Sequence, residues 1–452
     1  MKTNSSTAVA VKANPSLFSD FSISPEILKS IEEMGFKEAT PIQKLSIPSL
    51  LKGEDLVGQA QTGTGKTAAF GIPMIESITP KDKAISGIIL CPTRELALQV
   101  AVEMGKLSRH KKHIHILPVF GGDPIQKQIL ALRKGSINIV VGTPGRVMDL
   151  FDRKILKLDS IKIAVLDEAD EMLNMGFRDE IEDLLSWMPE NRQTVLFSAT
   201  MPKPILDIAH RFLRNPTMAK ITRSELTAAN IQQFYYEVRE SEKSGLIQLI
   251  KMFYDLKSIL IFCNTKRKVD DVVKSLSYLG IPSSAIHGDL NQNQRNQVLD
   301  AFRKGTINVL VATDVAARGI NVNEIDGVFN YDLPLDFESY VHRIGRTGRA
   351  GASGIAFSFV SSNGEVKKLQ RIENHINAKI ERKKAPGAKD MKEAYIRQIQ
   401  NMFEKHSKGK EMNLYRSVVE KISEGGIAPD ELAASLLSVS LPYNFKEIKE
   451  KN

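Results

Sequence analysis

Short runs of apolar residues, many of them β-branched, recur along the chain and are separated by segments of helical periodicity. A first series occupies residues 85–91, 137–141, 161–166 and 194–197, and a second occupies residues 259–262, 307–311 and 327–330. Runs of this length that are apolar throughout are typical of strands buried on both faces of a parallel sheet. The pattern therefore predicts an α/β protein with two parallel sheets, one in each half of the chain.

The segments around these two series predict the domain boundaries. Residues 223–230 are polar and lack a strong period, which predicts a linker. The chain of 452 residues also exceeds what one core normally supports. We expect a flexible tail at residues 1–17, a first domain at 18–222, a second domain at 231–381 and a C-terminal extension at 382–452.

The C-terminal extension begins with a basic stretch at residues 382–388 that contains proline and glycine, and we interpret it as a hinge. Apolar residues then recur at helical spacing in three stretches between residues 390 and 440. These apolar stripes can pack on their own second domain or pair with a second copy of the chain. We favour a homodimer through residues 390–440, because three short amphipathic helices expose much apolar surface.

Polar clusters follow the predicted strands, and one of them has phosphate-binding chemistry. Residues 60–67 read Ala-Gln-Thr-Gly-Thr-Gly-Lys-Thr and lie between a strand-like segment and an apolar helical segment. Glycine N–H groups can close around phosphates, Lys66 can reach the terminal ones, and the Thr67 hydroxyl can hold Mg²⁺. Ala60 replaces the first glycine of the general pattern G-x-x-x-x-G-K-[ST], so the loop needs support from a second motif.

That support is an acidic cluster directly after the apolar run at residues 161–166. Asp167 can complete the metal site that Thr67 begins, and Glu168 can orient a water for in-line attack on a γ-phosphate. Open α/β sheets bind their ligands at the carboxyl ends of the strands, where this cluster lies. Together the two motifs predict hydrolysis of a nucleoside triphosphate.

Charge and cysteine content narrow the partners and the compartment. The formal net charge of +9 at pH 7 suits a polyanionic partner such as nucleic acid. Cys91 and Cys263 lie inside apolar runs, which predicts core thiols in a reducing compartment. No stretch approaches the roughly eighteen apolar residues of a membrane span, and the tail lacks the apolar core of a signal peptide. We expect a soluble, cytoplasmic protein.

Residues from about 18 to 358 resemble the DEAD-box ATP-dependent RNA helicases of bacterial type. The phosphate loop at residues 60–67 matches that family's own variant, and residues 167–170 are the Asp-Glu-Ala-Asp tetrad that names it. Residues 35–43 resemble the family's adenine-reading element, in which Gln43 offers both a donor and an acceptor to the base. The resemblance implies two tandem RecA-like domains that use ATP and Mg²⁺ and bind RNA.

The resemblance also implies a nucleotide site that the two domains share. Its first-domain residues would be Phe18, Gln43, Gln61, Thr62, Gly63, Thr64, Gly65, Lys66 and Thr67, with Asp167 at the metal and Glu168 at the attacking water. From the second domain, Arg346 and Arg349 would stabilise charge on the transferring phosphoryl group. Asn321 stands where the family has an aspartate that accepts from the ribose, and it keeps one acceptor oxygen.

An RNA surface and a coupling network follow from the same resemblance. The RNA-facing residues would be Thr93, Arg94, Gly121, Gly122, Thr143, Arg146, Gly288, Arg295, Thr313 and Asp314. Such residues suit contact with phosphate and sugar without base readout, and contacts to 2′-hydroxyls would favour RNA over DNA. The residues that couple hydrolysis to domain closure would be Asp170, Ser198, Thr200, His342 and Arg343, the last two bridging the domains.

We therefore expect an RNA helicase and RNA-stimulated ATPase whose two lobes close when ATP and RNA bind together, which pulls apart a short duplex. One alternative is an ATP-gated RNA clamp in which hydrolysis is vestigial, and the presence of Glu168, Arg346 and Arg349 counts against it. Another is a processive DNA translocase built on the same sheets, which the family resemblance disfavours.

Overall fold

The computed structural model describes residues 17–60, 63–82, 84–221, 231–317, 325–348, 354–406 and 412–440. The structure has two parallel sheets of seven strands, and each sheet forms one lobe. This arrangement confirms the predicted two-domain α/β architecture. Among the predicted sites, Gln61, Thr62, Asn321 and Arg349 lie outside the described residues, as does the linker at 223–230.

The first lobe contains one sheet with helices on both faces. Its strands are β1 (Leu56–Gln59), β2 (Gly87–Leu90), β3 (Ile116–Val119), β4 (Ile139–Gly142), β5 (Ile163–Leu166), β6 (Gln193–Ser198) and β7 (Thr217–Lys220), in the order β3-β4-β2-β5-β6-β1-β7. Its helices are α1 (Pro25–Glu33), α2 (Pro41–Leu51), α3 (Lys66–Ser77), α4 (Arg94–Leu107), α5 (Ile125–Arg133), α6 (Pro144–Asp152), α7 (Ala169–Asn174), α8 (Arg178–Trp187) and α9 (Lys203–Phe212).

The second lobe repeats this plan. Its strands are β8 (Ile231–Glu237), β9 (Ile259–Phe262), β10 (Ser283–Ile286), β11 (Val309–Ala312), β12 (Gly327–Asn330), β13 (Gly354–Val360) and β14 (Glu381–Arg382), in the order β10-β11-β9-β12-β13-β8-β14. Its helices are α10 (Lys243–Phe253), α11 (Lys266–Tyr278), α12 (Gln292–Arg303), α13 (Asp314–Ala317), α14 (Phe337–Ile344) and α15 (Asn363–Ile376). The two strand orders are the same once each sheet is numbered from its own first strand.

Strands β2, β5, β9 and β11 are apolar along their whole length because each faces two cores. In β5, Ile163 and Val165 join the cluster formed with α1 to α4, whereas Ala164 and Leu166 join the cluster formed with α6 to α9. Side chains alternate between the faces of a strand, so both sets must be apolar. The polar residues then begin where the strand ends, which places the candidate site at the carboxyl edge of each sheet.

The C-terminal extension differs in part from the sequence interpretation. Arg382 belongs to β14 at the edge of the second sheet and the Lys383 N–H donates to the Tyr235 carbonyl at 2.9 Å, so the predicted hinge at 382–388 begins inside the lobe. Three helices follow, α16 (Ala388–His406), α17 (Met412–Glu424) and α18 (Pro429–Ser440).

Helix α16 packs on its own second lobe. Met391 and Ala394 are buried, and the Gln398 side chain donates to the Met252 carbonyl at 2.8 Å. The other side of α16 exposes Ile396, Ile399 and Phe403, and α17 and α18 also keep apolar side chains in solvent, with Val418 49% and Leu436 57% exposed. No helix in the described ranges has the length and apolar character needed to cross a bilayer.

Candidate functional site

The phosphate loop connects β1 to α3 and depends on glycine at two positions. Gly63 and Gly65 have φ angles of 86° and 88°, in the left-handed region that side chains with a Cβ rarely adopt. A Cβ on Gly65 would also collide with the side-chain amide of Gln43. The loop therefore turns tightly into the N-terminus of α3, where backbone N–H groups can bind phosphate.

Gln43, predicted to read adenine, supports the phosphate loop in this structure. Its Nε2 donates to the Gly65 carbonyl at 3.0 Å, and its Oε1 accepts from the Thr40 N–H at 2.8 Å. The Thr40 hydroxyl donates to the Thr64 carbonyl at 2.8 Å. Thr40 and Gln43 lie at the start of α2, and their bonds hold the Thr64 and Gly65 carbonyls of the phosphate loop in place. The element at residues 35–43 is therefore linked directly to the phosphate loop.

The predicted aromatic Phe18 is a core residue here. It is 4% exposed, and its ring lies 6.5 Å from the ring of Phe36 at an interplanar angle of 25°. Phe36 itself is 38% exposed. Phe18 thus packs against the predicted adenine-reading element at residues 35–43 from the side of the core. Phe36, within that element, is the aromatic side chain that reaches the surface.

Lys66 and Asp167 form the charged centre of the site. The Lys66 Nζ lies 3.5 Å from the Asp167 Oδ1, both side chains are buried, and neither atom has a hydrogen-bond partner in the described part of the chain. Burial raises the pKa of Asp167 while Lys66 opposes the rise. For Lys66, burial would lower the pKa, but Asp167, Glu168 and Asp170 raise it above its ordinary value. An ammonium and a carboxylate held this way suit a phosphate and a divalent cation, respectively.

Glu168 adopts a strained backbone conformation. Its φ and ψ are 53° and 52°, and it is the residue that precedes α7. Glutamate pays roughly 1–2 kcal/mol for the left-handed region, and strain of this kind concentrates at functional sites. The turn keeps Glu168 beside the charge centre, since its carboxylate acts electrostatically on both Lys66 and Asp167.

Sequence reasoning missed one acidic residue of this site, Glu103 on α4. Burial raises the pKa of the Glu103 carboxyl, the nearby Thr67 hydroxyl lowers it and the charge of Asp167 raises it, so that the pKa stands above its ordinary value. No motif marks this residue, because it belongs to a helix that follows a different strand from the phosphate loop. Only the packing of α4 against α3 brings it to Thr67.

The predicted coupling residues gather in two places. In the first lobe, the Asp170 Oδ2 accepts from both the Thr200 N–H and the Thr200 hydroxyl at 2.9 Å, and the Ser198 hydroxyl donates to the Thr200 carbonyl at 2.6 Å. Between the lobes, the His342 Nδ1 lies 2.9 Å from the Glu171 Oε1. The first-lobe partner of His342 is therefore Glu171, which sequence reasoning did not single out.

His342 has a pKa above its ordinary value. Burial alone would lower it, but the hydrogen bond with Glu171 and the charges of Asp170 and Glu168 raise it. Protonation of the imidazole is thus favoured by contact with the first lobe.

Arg343 does not bridge the lobes as expected. Its side chain is 1% exposed, and its guanidinium binds the Asp314 carboxylate through two bonds of 2.6 and 2.8 Å. It also donates to the Asp332 carbonyl at 2.6 Å and to the Asn264 side chain at 2.9 Å. All these partners belong to the second lobe, so Arg343 ties together the strand ends of that sheet. Asp314, predicted to face RNA, accepts these two bonds from Arg343, and Arg346 borders the same small cavity as His342.

The first-lobe residues predicted to face RNA form one group. Arg94 donates to the Gly121 carbonyl at 3.2 Å, and its guanidinium lies so close to Gly122 that a Cβ there would collide with it. Arg146 donates to the Gln128 side chain at 3.1 Å. Arg146 lies in the first turn of α6, and Thr143 directly precedes that helix. Glycine backbone, hydroxyl and guanidinium groups therefore share one edge of the sheet.

In the second lobe, Arg295 contacts the first lobe. Its Nε lies 2.9 Å from the Glu95 Oε1, an ion pair that lacks hydrogen-bond alignment, and its terminal nitrogen donates to the Ala316 carbonyl at 2.7 Å. Glu95 directly follows Arg94 in sequence. Gly288 and Thr313 lie at the ends of β10 and β11, and the Lys266 side chain packs beside Gly288. Glu95 and Lys266 thus lie beside residues that were predicted to face RNA.

Comparisons with known proteins agree with this geometry. A family model described as DEAD/DEAH box helicase matches residues 40–208, and one described as helicase conserved C-terminal domain matches residues 242–351. The chain is 46% identical to the DEAD-box ATP-dependent RNA helicase CshA of Bacillus cereus, with 90% of this chain and 77% of that protein covered.

Two further similarities extend the comparison. The Bacillus subtilis protein of the same name is 44% identical, with 93% of this chain and 84% of that protein covered. Among solved structures, Saccharomyces cerevisiae Dbp5 bound to RNA and ADP BeF3 superposes with a TM-score of 0.75 at 34% identity, covering 82% of this chain and 96% of that one.

Proposed function

Because the chain belongs to the DEAD-box ATP-dependent RNA helicases, we propose that it couples ATP hydrolysis to closure of its two lobes on RNA and to local unwinding of short duplexes. The observation that carries this proposal is a pair of interlobe contacts. Glu171 meets His342 beside the ATP-site residues, and Glu95 meets Arg295 beside the residues assigned to RNA. Each contact would stabilise the closed arrangement. One lies beside the ATP site and the other beside the residues assigned to RNA.

The ATP site would work through residues of both lobes. The phosphate loop and Lys66 would hold the β- and γ-phosphates, and Glu168 would orient the attacking water. Arg346 and Arg349 would stabilise the charge that develops on the transferring phosphoryl group, for which a planar guanidinium is well suited. The Asp167 Oδ1, which makes no hydrogen bond within the described residues, and the Thr67 hydroxyl fit Mg²⁺, which when bound would neutralise phosphate charge.

Closure would link the two ligands. ATP supplies contacts for arginines of the second lobe, and an RNA strand that crosses both sheets supplies phosphates for both RNA surfaces. Each ligand then favours the closed state and hence the binding of the other, as reciprocity between coupled sites requires. Hydrolysis removes the γ-phosphate contacts, so the lobes reopen and release the strand.

RNA recognition would be largely independent of sequence. The groups at the RNA surface are backbone, hydroxyl and guanidinium groups, which bind phosphate and sugar rather than base edges. Contacts to 2′-hydroxyls would favour RNA over DNA. An ATP-gated clamp without turnover is the alternative, and the complete set of Lys66, Glu168 and Arg346 in the chain favours the enzyme.

Substitution Glu168→Gln tests the proposal. It keeps the phosphate and metal ligands but removes the group that positions water, so we expect hydrolysis to fall by about a hundredfold or more while ATP binding persists. The variant should trap RNA in the presence of ATP, measured as slow dissociation of a labelled strand. Asp159→Asn, at an exposed acid before β5, serves as the control. Wild-type turnover that RNA fails to stimulate would contradict the coupling, and turnover of Glu168→Gln near wild type would contradict the role of Glu168.

We also propose that a homodimer forms through the C-terminal helices, with α17 and α18 at the interface. Helix α17 exposes Val418, Val419 and Ile422, and α18 exposes Leu436 and Leu437. Helix α16 buries Met391 and Ala394 against its own lobe and exposes Ile396, Ile399 and Phe403, so it can extend the same apolar surface. Amphipathic helices of this kind become stable when their apolar face is covered.

Light scattering at micromolar concentration tests the dimer. A chain that ends at His406 keeps α16 on the second lobe, so its loss of dimerisation would place the interface in α17 and α18. Leu436→Glu in the full chain should weaken the dimer without affecting the ATPase lobes. A monomeric full-length chain would refute the proposal.

A further inference from the structure

We propose that His287 accepts a hydrogen bond from an RNA 2′-hydroxyl through its Nδ1 atom, which would make it a residue that distinguishes RNA from DNA. The inference rests on the proposed binding of RNA beside Gly288, and it names a side chain that would supply the preference for RNA. His287 directly precedes Gly288 and is 8% exposed, and its Nδ1 makes no hydrogen bond within the described residues.

The first lobe shows what the fold requires at the equivalent position. Phe120 and Gly121 follow β3, the third strand of the first sheet. Arg94 is the first residue of α4, and its guanidinium lies 5.1 Å from the centre of the Phe120 ring and 4.0 Å from the Asp123 carboxylate. Phe120 is 6% exposed. A ring without polar atoms therefore fills this position, next to a glycine and an ion pair.

The second lobe repeats this arrangement with histidine as the ring. His287 and Gly288 follow β10, the third strand of the second sheet. Lys266 is the first residue of α11, packs beside Gly288 and pairs with the Asp289 carboxylate. His287 thus stands where the first lobe has Phe120. Its ring nitrogens are polar atoms that the packing of the strand end does not require, and their burial is unfavourable unless they are hydrogen-bonded.

One nitrogen of the His287 ring has a protein partner and the other lacks one within the described residues. The Nε2 lies 3.1 Å from the Asp270 Oδ1. Because an ionised carboxylate can only accept, this contact places a proton on Nε2, and the Nδ1 of the neutral ring is then an acceptor. The Asp289 Oδ2 lies 4.0 Å from Nδ1, beyond hydrogen-bond distance, and a carboxylate has no proton to offer. The ring therefore presents a buried acceptor that needs a donor.

An RNA strand bound at this place would supply that donor. The 2′-hydroxyl can donate a hydrogen bond, and DNA has no equivalent group. Lys266 and Asp289 are 54% and 64% exposed, and an ion pair this exposed contributes little to stability, so a phosphate can compete with Asp289 for Lys266. Each phosphate is joined to a ribose, so a phosphate held by Lys266 and Gly288 brings a 2′-hydroxyl towards His287.

Binding of labelled RNA and DNA strands of one sequence to the full chain, with a non-hydrolysable ATP analogue, tests the inference. His287→Gln keeps a donor for Asp270 at the position of Nε2 but has no acceptor at the position of Nδ1. We expect its RNA affinity to fall by about two- to tenfold, as for one hydrogen bond, with DNA affinity nearly unchanged. His287→Asn places its Oδ1 near the position of Nδ1 and should recover most of the RNA affinity.

Two further variants control for damage to the fold. His287→Phe introduces the ring that the first lobe carries at this position, so it should fold and should lose the RNA preference as His287→Gln does. His115→Gln, at an exposed histidine before β3, should bind both strands as the wild type does.

The outcomes separate this inference from the proposed function. A wild-type preference for RNA that His287→Gln and His287→Phe both retain would overturn the inference alone. Equal losses of RNA and DNA affinity in His287→Gln would also overturn it, because they indicate a structural role. Equal binding of the two strands by the wild type would remove the proposed 2′-hydroxyl contacts and this inference with them.

Discussion

Two buried lysines, Lys66 and Lys243, show how the same fold position can serve a ligand in one lobe and the fold in the other. Each is the first residue of the helix that follows the first strand of its sheet, and the two sheets share one strand order. Lys66 is 6% exposed and Lys243 is 2% exposed. They are therefore matched in topology and burial.

Their partners differ. The Lys243 Nζ donates to the Tyr331 carbonyl at 2.8 Å, lies 2.7 Å from the Glu240 carboxylate and sits 4.7 Å from the centre of the Tyr331 ring. The Lys66 Nζ has Asp167 at 3.5 Å and no hydrogen bond within the described residues. A buried ammonium without hydrogen bonds is costly unless a ligand completes it.

The turns that precede the two helices explain the difference. The first lobe uses Gly63 and Gly65, whose left-handed φ angles let the backbone turn its N–H groups towards a bound phosphate. In the second lobe, residues 239–242 read Arg-Glu-Ser-Glu, and Glu240 supplies the negative charge from the protein itself. The first lobe thus keeps an anion site for a ligand, whereas the second fills the equivalent position with its own carboxylate.

The largest effect should come from replacing each lysine by methionine. Lys66→Met removes the phosphate contact, and we expect kcat/KM for ATP to fall by about a hundredfold or more while the melting temperature is retained. Lys243→Met should lower the free energy of unfolding by roughly 1–3 kcal/mol, because the Tyr331 carbonyl loses its donor, yet leave nucleotide affinity intact. Steady-state kinetics and thermal unfolding of both variants measure this contrast. Similar losses of activity in the two variants would break the comparison.

A smaller effect is expected at Arg346, the second-lobe cation assigned to the nucleotide. Arg346→Lys keeps the charge but loses the planar fork, so we expect kcat to fall by at least about tenfold with little change in stability. Arg382→Lys, on the exposed edge strand β14, is the matched control. Full turnover by Arg346→Lys would mean that the planar guanidinium group of Arg346 does not act on the phosphates, which would contradict its assignment to the nucleotide.

The smallest effect concerns pH and the contact between His342 and Glu171. Contact with the first lobe raises the pKa of His342 above the ordinary value of 6.5, so protonated His342 would stabilise the closed arrangement that we propose. That contribution is complete below the ordinary pKa and is lost as the pH rises through the raised one. RNA affinity with a non-hydrolysable ATP analogue should therefore fall by roughly two- to fivefold across this window. Glu171→Gln should flatten the dependence, and a wild-type profile that does not change with pH would remove the contact from closure.

The sequence by itself determined the two sheets and the chemistry of the phosphate loop. Apolar runs specify buried parallel strands because both of their faces lie in a core, and the glycines, Lys66 and Asp167 identify phosphate binding because few other residues can perform it. The two apolar series did not include β3, β7, β8, β10, β13 and β14. In β8 and β13 polar or aromatic residues interrupt the apolar pattern, and the other four lie towards the edges of their sheets.

Tertiary structure decided which of several chemically equivalent partners each charged group meets. Arg343 could pair with any nearby carboxylate, and it meets Asp314 rather than Asp170 because the strand ends of its own sheet surround it. His342 meets Glu171 and Arg295 meets Glu95 for the same reason. Hydrogen bonds and ion pairs act over a few ångströms, so these pairings depend on how helices and lobes pack, which local sequence patterns do not encode.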